Sequence, residues 1–196
     1  MFKISRENLG EFYKTLAAKM LLFLPIRKAG EVNFGYYEEG AEVDIDTLKS
    51  VKSPKGVFFP QSENMMRFRT EGKKLEIEDV RSERDPFVVF GVRACDYKAF
   101  SVLDNVFLQE PVDTYYKEKR EAAIIFTLAC GKPQQSCFCS VFGIDASQPM
   151  GDVTCWLDEN ALYLRANTEK GEKALSLVAN LTEKCDDKHV EELKGE

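Results

Sequence analysis

Phe87-Val88-Val89-Phe90-Gly91-Val92-Arg93-Ala94-Cys95-Asp96 is a continuous apolar run that closes on an arginine, a cysteine and an aspartate. A second such run, Ala122-Ala123-Ile124-Ile125-Phe126-Thr127-Leu128-Ala129-Cys130, also closes on a cysteine. Unbroken apolar character, rather than alternation, marks strands covered on both faces. Between the runs, Phe100, Leu103 and Phe107 share one face of a helix expected from about Asp96 to Phe107, and a second helix is expected from about Asp113 to Glu121. Two buried strands joined through helices predict parallel neighbours in an α/β fold. Cys95 and Cys130 then emerge at one edge of the sheet, where such folds place their ligands.

Outward from this centre the pattern changes. Ser5 is placed to cap a helix whose apolar stripe is Leu9, Phe12, Tyr13, Leu16 and Met20. Glu31 to Tyr37 reads as a strand, Ser53-Pro54-Lys55-Gly56 as a turn leading into Val57-Phe58-Phe59-Pro60, and Leu75 to Val80 as a half-buried alternating strand. Towards the C-terminus, Val153–Leu157 and Ala161–Arg165 flank Asp158-Glu159-Asn160 as a hairpin. A helix from about Thr168 to Asn180 follows, and the polar tail after Cys185 reads as frayed. The expected fold is a mixed sheet with a parallel central pair flanked by helices, plus a C-terminal hairpin and helix. The 196 residues are expected to form a single domain with three parts: a helix and β region over 1–80, a cysteine-bearing core over 81–150, and the hairpin and helix over 151–196.

The balance of charge excludes some functions. A net charge of −6 argues against a nucleic-acid-binding surface. The longest apolar stretch, Met20 to Ile26, is far short of the roughly 20 residues needed to cross a bilayer, so no membrane insertion is expected. Met1 to Glu7 lacks the layout of a signal peptide, and a cytoplasmic location is the default expectation. Thiols stay reduced there, so clustered cysteines favour metal or redox chemistry, with a disulfide framework as the alternative.

Four of the six cysteines fall in the central stretch: Cys95, Cys130, Cys137 and Cys139. Four thiolates delivered from two strand ends and a Cys-Phe-Cys pair suit a [4Fe–4S] cluster; structural zinc, or no metal at all, are the competing readings. Arg93 is expected to offset the negative charge of such a site, helped by the N-terminus of the following helix. Cys155 reads as a core residue, Cys185 as exposed, and His189, the single histidine, as a solvated side chain. Phe58, Phe59, Met65 and Met66 read as core, and Asp96, Asp104 and Asp113 as caps or surface charges. No phosphate-binding loop, dinucleotide fingerprint or histidine-based nucleophile pair is present, so the chain shows no substrate chemistry of its own.

In order along the chain stand Ser53-Pro54-Lys55 with Phe58-Phe59-Pro60, Gly91-Val92-Arg93-Ala94-Cys95-Asp96, Asp113-Thr114-Tyr115-Tyr116 with Lys119-Arg120-Glu121, Cys130-Gly131-Lys132-Pro133, and Cys137-Phe138-Cys139. This series resembles the N-terminal domain of the electron-transfer β subunits of anaerobic sulfite reductase and of cytoplasmic nickel–iron hydrogenases of the sulfhydrogenase type. In that family a ferredoxin-like segment with two four-iron clusters usually follows, and this sequence ends before one. The resemblance implies a subunit that passes electrons within an oxidoreductase complex, between a flavin- or cluster-bearing partner and a catalytic subunit. The four-cysteine site itself rests on residue type and placement, not on the resemblance.

Overall fold

The computed structural model describes residues 1–79 and 85–194. In chain order the elements are β1 (Phe2–Ser5), α1 (Leu9–Ala17), β2 (Leu21–Lys28), β3 (Glu31–Tyr36), α2 (Lys55–Phe58), β4 (Met66–Glu71), β5 (Lys74–Asp79) and β6 (Phe87–Val92). Then follow α3 (Ala94–Phe107), α4 (Thr114–Ala122), β7 (Ala123–Leu128), β8 (Val153–Leu157), β9 (Ala161–Ala166), α5 (Glu169–Ser176), β10 (Glu183–Lys184) and α6 (Lys188–Lys194). One eight-stranded sheet has the order β10-β1-β9-β8-β7-β6-β2-β3. Four neighbouring strands, β8, β7, β6 and β2, run parallel, and the other pairings are antiparallel.

The two apolar runs are the heart of the sheet, every residue of β6 and β7 being buried. Their side chains divide by the two-residue period of a strand. Val88, Phe90, Ile124 and Phe126 face α1 and α5, whereas Phe87, Val89, Ala123 and Ile125 face α2, α3 and α4. Burying each such side chain contributes roughly 1.5–3 kcal/mol. Period alone would send Val92 to the same side as Phe90, but it packs with Phe87 and Val89 instead. The cause is a bulge: the register between β6 and β7 shifts between Phe90 and Val92, at Gly91 with φ +83°. A side chain on Gly91 would come within 3.1 Å of the Pro25 ring on β2. Gly91 and Pro25 are thus fitted to each other, and the chain leaves the sheet towards Arg93 with reversed facing.

Several expectations change here. Leu21–Lys28 is a strand that tolerates Pro25 because its pairing with β6 covers only Leu21 to Phe23, so the missing N–H falls beyond the ladder. The β4–β5 hairpin is exposed on both faces, not half-buried, because it projects outside the layers of the sheet. Met65 and Met66, expected in the core, are exposed at the root of this hairpin. Phe59, also expected in the core, is half-exposed after α2 with its ring on Phe107, while Phe58 is fully buried. The tail does not fray: β10 pairs with β1, and Val190 of α6 is buried against Trp156 and Tyr163. Cys185 packs on that cluster and is half-buried. Val80 and the side chain of His189 lie outside the described residues.

Candidate metal centre

The parallel strands β6 and β7 end side by side, as their sequences require, and put Arg93 and Cys130 at the same sheet edge. Cys95 is the second residue of α3, and its side chain reaches this edge from the helix N-terminus. The segment from Cys130 to Val153 is a long loop pinned at its roots. The Cys130 N–H donates to the Ala146 carbonyl at 2.9 Å, the Trp156 indole N–H to the Ser147 carbonyl at 2.8 Å, and the Thr154 hydroxyl to the Pro149 carbonyl at 2.8 Å. Between these anchors the loop turns at Gln134, whose carbonyl accepts from the Cys137 N–H at 2.9 Å. A 3₁₀ turn over Cys139–Phe142 ends at Gly143, which adopts φ +62°.

Cys95, Cys130, Cys137 and Cys139 line one pocket of about 340 Å³ together with Arg93 and Ile144. All four expected cysteines, and the expected arginine, are therefore brought together. Among the described residues no three His, Cys, Asp or Glu side chains are gathered closely enough to hold a metal ion. The thiols face a common space without a finished coordination cage, and Cys137 and Cys139 ride on the exposed part of the loop. Cys155 is fully buried in the core, as its strand position requires, and is remote from this pocket's lining. All six cysteines are free thiols.

The electrostatics are unusual. The Arg93 guanidinium sits at the back of the pocket and donates to the carbonyls of Ala129 (2.9 Å), Ile45 (2.8 Å) and Thr47 (3.3 Å). The Cys130 thiol lies close enough to act on its charge. Among the described residues no carboxylate pairs with it. Asp46 acts on it from nearby but is held bidentately by Arg6 at 2.5 and 3.0 Å. Burial lowers the Arg93 pKa, an effect opposed by Cys130, Asp46 and Cys95. Burial likewise pushes the Cys95 thiol up to about 11, followed by the negative charges of Asp96, Cys139 and Cys130. Cys130 is also raised, by burial first, with Arg93 acting to lower it and Cys139 and Cys137 to raise it. Cys130 thus feels both Cys137 and Cys139, and Cys95 feels Cys139 and Cys130. One N–H already points at sulfur: the Gln134 amide donates to Cys137 Sγ at 3.3 Å.

A polar cleft of about 570 Å³ adjoins the thiol pocket across Arg93 and includes Arg6, Asp46 and Asp158. The sequence alone gave no sign of the part played by the 45–48 segment. Nothing local to Ile45 and Thr47 marks their carbonyls as the seat of a guanidinium from residue 93.

Fold and site together define a class: an α/β protein with a mixed sheet, parallel at its centre, and a thiol-lined pocket, backed by a half-buried arginine, at the carboxyl edge of its central strands. Among curated proteins the chain is similar to sulfhydrogenase 2 subunit beta of Pyrococcus furiosus, with 27% identity over 169 residues, or 86% of this chain and 49% of that one. The chain thus spans about half the length of that relative. The similarity lies on the hydrogenase side of the resemblance drawn from the sequence. No protein-family model and no solved structure matches the chain. Among the described residues no helix is long and apolar enough to cross a membrane.

Proposed function

We propose that this chain is an electron-transfer component of a hydrogenase-type oxidoreductase complex, holding an iron–sulfur cluster, of the [4Fe–4S] kind, on Cys95, Cys130, Cys137 and Cys139. The observation that carries this reading is the half-buried Arg93 guanidinium, without a carboxylate partner among the described residues, facing a pocket lined by four thiols. A cation partly withdrawn from water and bonded only to carbonyls favours an anionic neighbour, and an anionic occupant of the pocket would supply one. The donor set fits: sulfur ligands are the usual choice for such clusters, and a backbone N–H is aimed at Cys137 Sγ. When bound, the cluster would supply reversible one-electron oxidation and reduction.

The chain's own residues set the conditions for that chemistry. Arg93 holds positive charge at the pocket wall and favours the more negative, reduced state. Cys95 and Cys130 are anchored by α3 and β7. Cys137 and Cys139 lie on the exposed loop and have the freedom to complete the ligand set. Pro133 and Ile144 cover part of the pocket and lower its polarity.

A second reading, a docking module without metal, is favoured by the absence of a closed ligand cage among the described residues. Anaerobic reconstitution with iron and sulfide separates the two. Iron and sulfide bound in near-equal amounts, with a visible chromophore lost in Cys137→Ser, supports the cluster. Bound zinc, or no metal with partner binding intact after all four cysteines are replaced, removes it.

A further inference from the structure

The loop that carries Cys137 and Cys139 also carries an apolar patch that the chain's own core leaves uncovered. Phe138, Val141 and Phe142 are 62%, 78% and 62% exposed, and the rings of Phe138 and Phe142 lie 5.7 Å apart. Their outward aim is built in. The Val141 N–H donates to the Phe138 carbonyl and the Gly143 N–H to the Ser140 carbonyl, both at 3.1 Å, and the left-handed Gly143 closes the turn beneath the rings. Adjacent exposed aromatic side chains of this kind mark contact surfaces, where they supply most of the binding energy.

The surroundings of the patch are basic, although the chain as a whole carries −6. Lys49 reaches the loop and donates to Ser136 Oγ at 2.6 Å. Lys132 lies on the same loop between Cys130 and Cys137, and Lys98 shares a cleft with Gly143 and Ile144. Among the described residues none of these three lysines is paired with a carboxylate. The acids nearby are engaged: Asp96 accepts from Ser53 at 2.5 Å and pairs with Lys55 at 3.6 Å, and Asp145 accepts from Ser147. An apolar patch on a loop that carries or adjoins three unpaired lysines calls for a partner with an apolar centre and acidic groups beside it.

We infer that the Cys137–Phe142 face docks an acidic electron-carrier protein. This inference rests on the reading of the four cysteines as a redox centre, since it is their place on this loop that makes the docked partner an electron carrier. Docking on the loop brings the carrier against Cys137 and Cys139, which flank Phe138, and the lysines orient it by long-range attraction before contact.

The test uses the full chain, reconstituted without oxygen, and a small acidic ferredoxin as probe. Stopped-flow mixing with reduced ferredoxin gives the second-order rate of electron transfer at several salt concentrations. The triple variant Lys49→Glu, Lys98→Glu, Lys132→Glu should slow it about tenfold or more at low salt and abolish its fall with rising salt. The double variant Val141→Ser, Phe142→Ser should slow it at every salt concentration. Iron content and visible spectrum, measured on the same samples, should match the unaltered chain. Ferredoxin titrated into the metal-free chain, followed by NMR, reports docking independently of the cluster. Loss of that binding in the variants would uphold the docking face even if no iron binds. Equal binding by all variants, or equal binding of a basic cytochrome c, would overturn it. So would a dimer of the unaltered chain that the serine variant renders monomeric, because the patch would then be its own partner.

Discussion

Gly91→Ala tests how the fold aims the site. Gly91 has φ +83°, a conformation that costs an L-residue about 1–2 kcal/mol. Its new methyl would lie 3.1 Å from Pro25 Cδ and 3.2 Å from Pro25 Cγ, so the ring of a residue on the neighbouring strand β2 must give way. Overpacking of this kind costs roughly 1–3 kcal/mol, which brings the expected loss to about 2–5 kcal/mol. That is a large share of the 5–15 kcal/mol typical of a folded domain. Urea unfolding should show a lower midpoint with an unchanged slope, and the melting temperature should fall by roughly 4–20 °C. The contact part is separable: in a Pro25→Ala background the alanine should cost about 1–3 kcal/mol less, leaving the backbone part. Because the bulge sets the facing of Val92 and the path to Arg93, iron uptake by the folded variant should fall as well. A loss below about 0.5 kcal/mol, well under the left-handed penalty alone, would mean that β6 can abandon the bulge, and the explanation of the site's orientation would be wrong.

Other substitutions probe separate links. Tyr13 is buried, and its hydroxyl has no hydrogen-bond partner among the described residues, so Tyr13→Phe should stabilise the chain by about 1 kcal/mol in urea unfolding; a loss of that size would reveal a hidden partner. Gly171→Ala in the first turn of α5 should gain about 1 kcal/mol by helix propensity alone, yet its methyl would overlap the Asp152 carbonyl oxygen, and net destabilisation is expected. A more stable variant would refute that close approach. Asp104 accepts from Tyr116 at 2.7 Å and from Arg120 at 2.9 and 2.8 Å. Burial works to raise its carboxyl, but these bonds and the Arg120 charge outweigh it and hold the pKa below the usual carboxylate range. Its folded value being depressed, Asp104 contributes stability above the unfolded pKa of about 3.9, and this is lost as pH falls through the folded value. Asp104→Asn should therefore cost roughly 1–3 kcal/mol at pH 7, and the gap to the unaltered chain should narrow near pH 3. A constant gap across that range would sink the assignment.

The sequence by itself determined the central strands, their helices and the terminal hairpin, because continuous apolar runs, helical periodicity and turn residues are local signals. The parallel pairing of β6 and β7 also followed from those signals, and with it the meeting of Cys95 and Cys130. Other features were legible only in the tertiary structure. β2 was hidden by Pro25, whose exemption depends on how far its neighbour's ladder extends. The exposed faces of the β4–β5 hairpin look half-buried on paper, since alternation records a possible face and not whether anything packs on it. The docked tail owes its order to Trp156 and Tyr163, more than 20 residues away. Above all, the reversal at Gly91 and the seating of Arg93 on the carbonyls of Ile45, Thr47 and Ala129 are contacts between distant segments. Local composition sets what a segment can become, whereas long-range packing decides which charges are buried and which way they face.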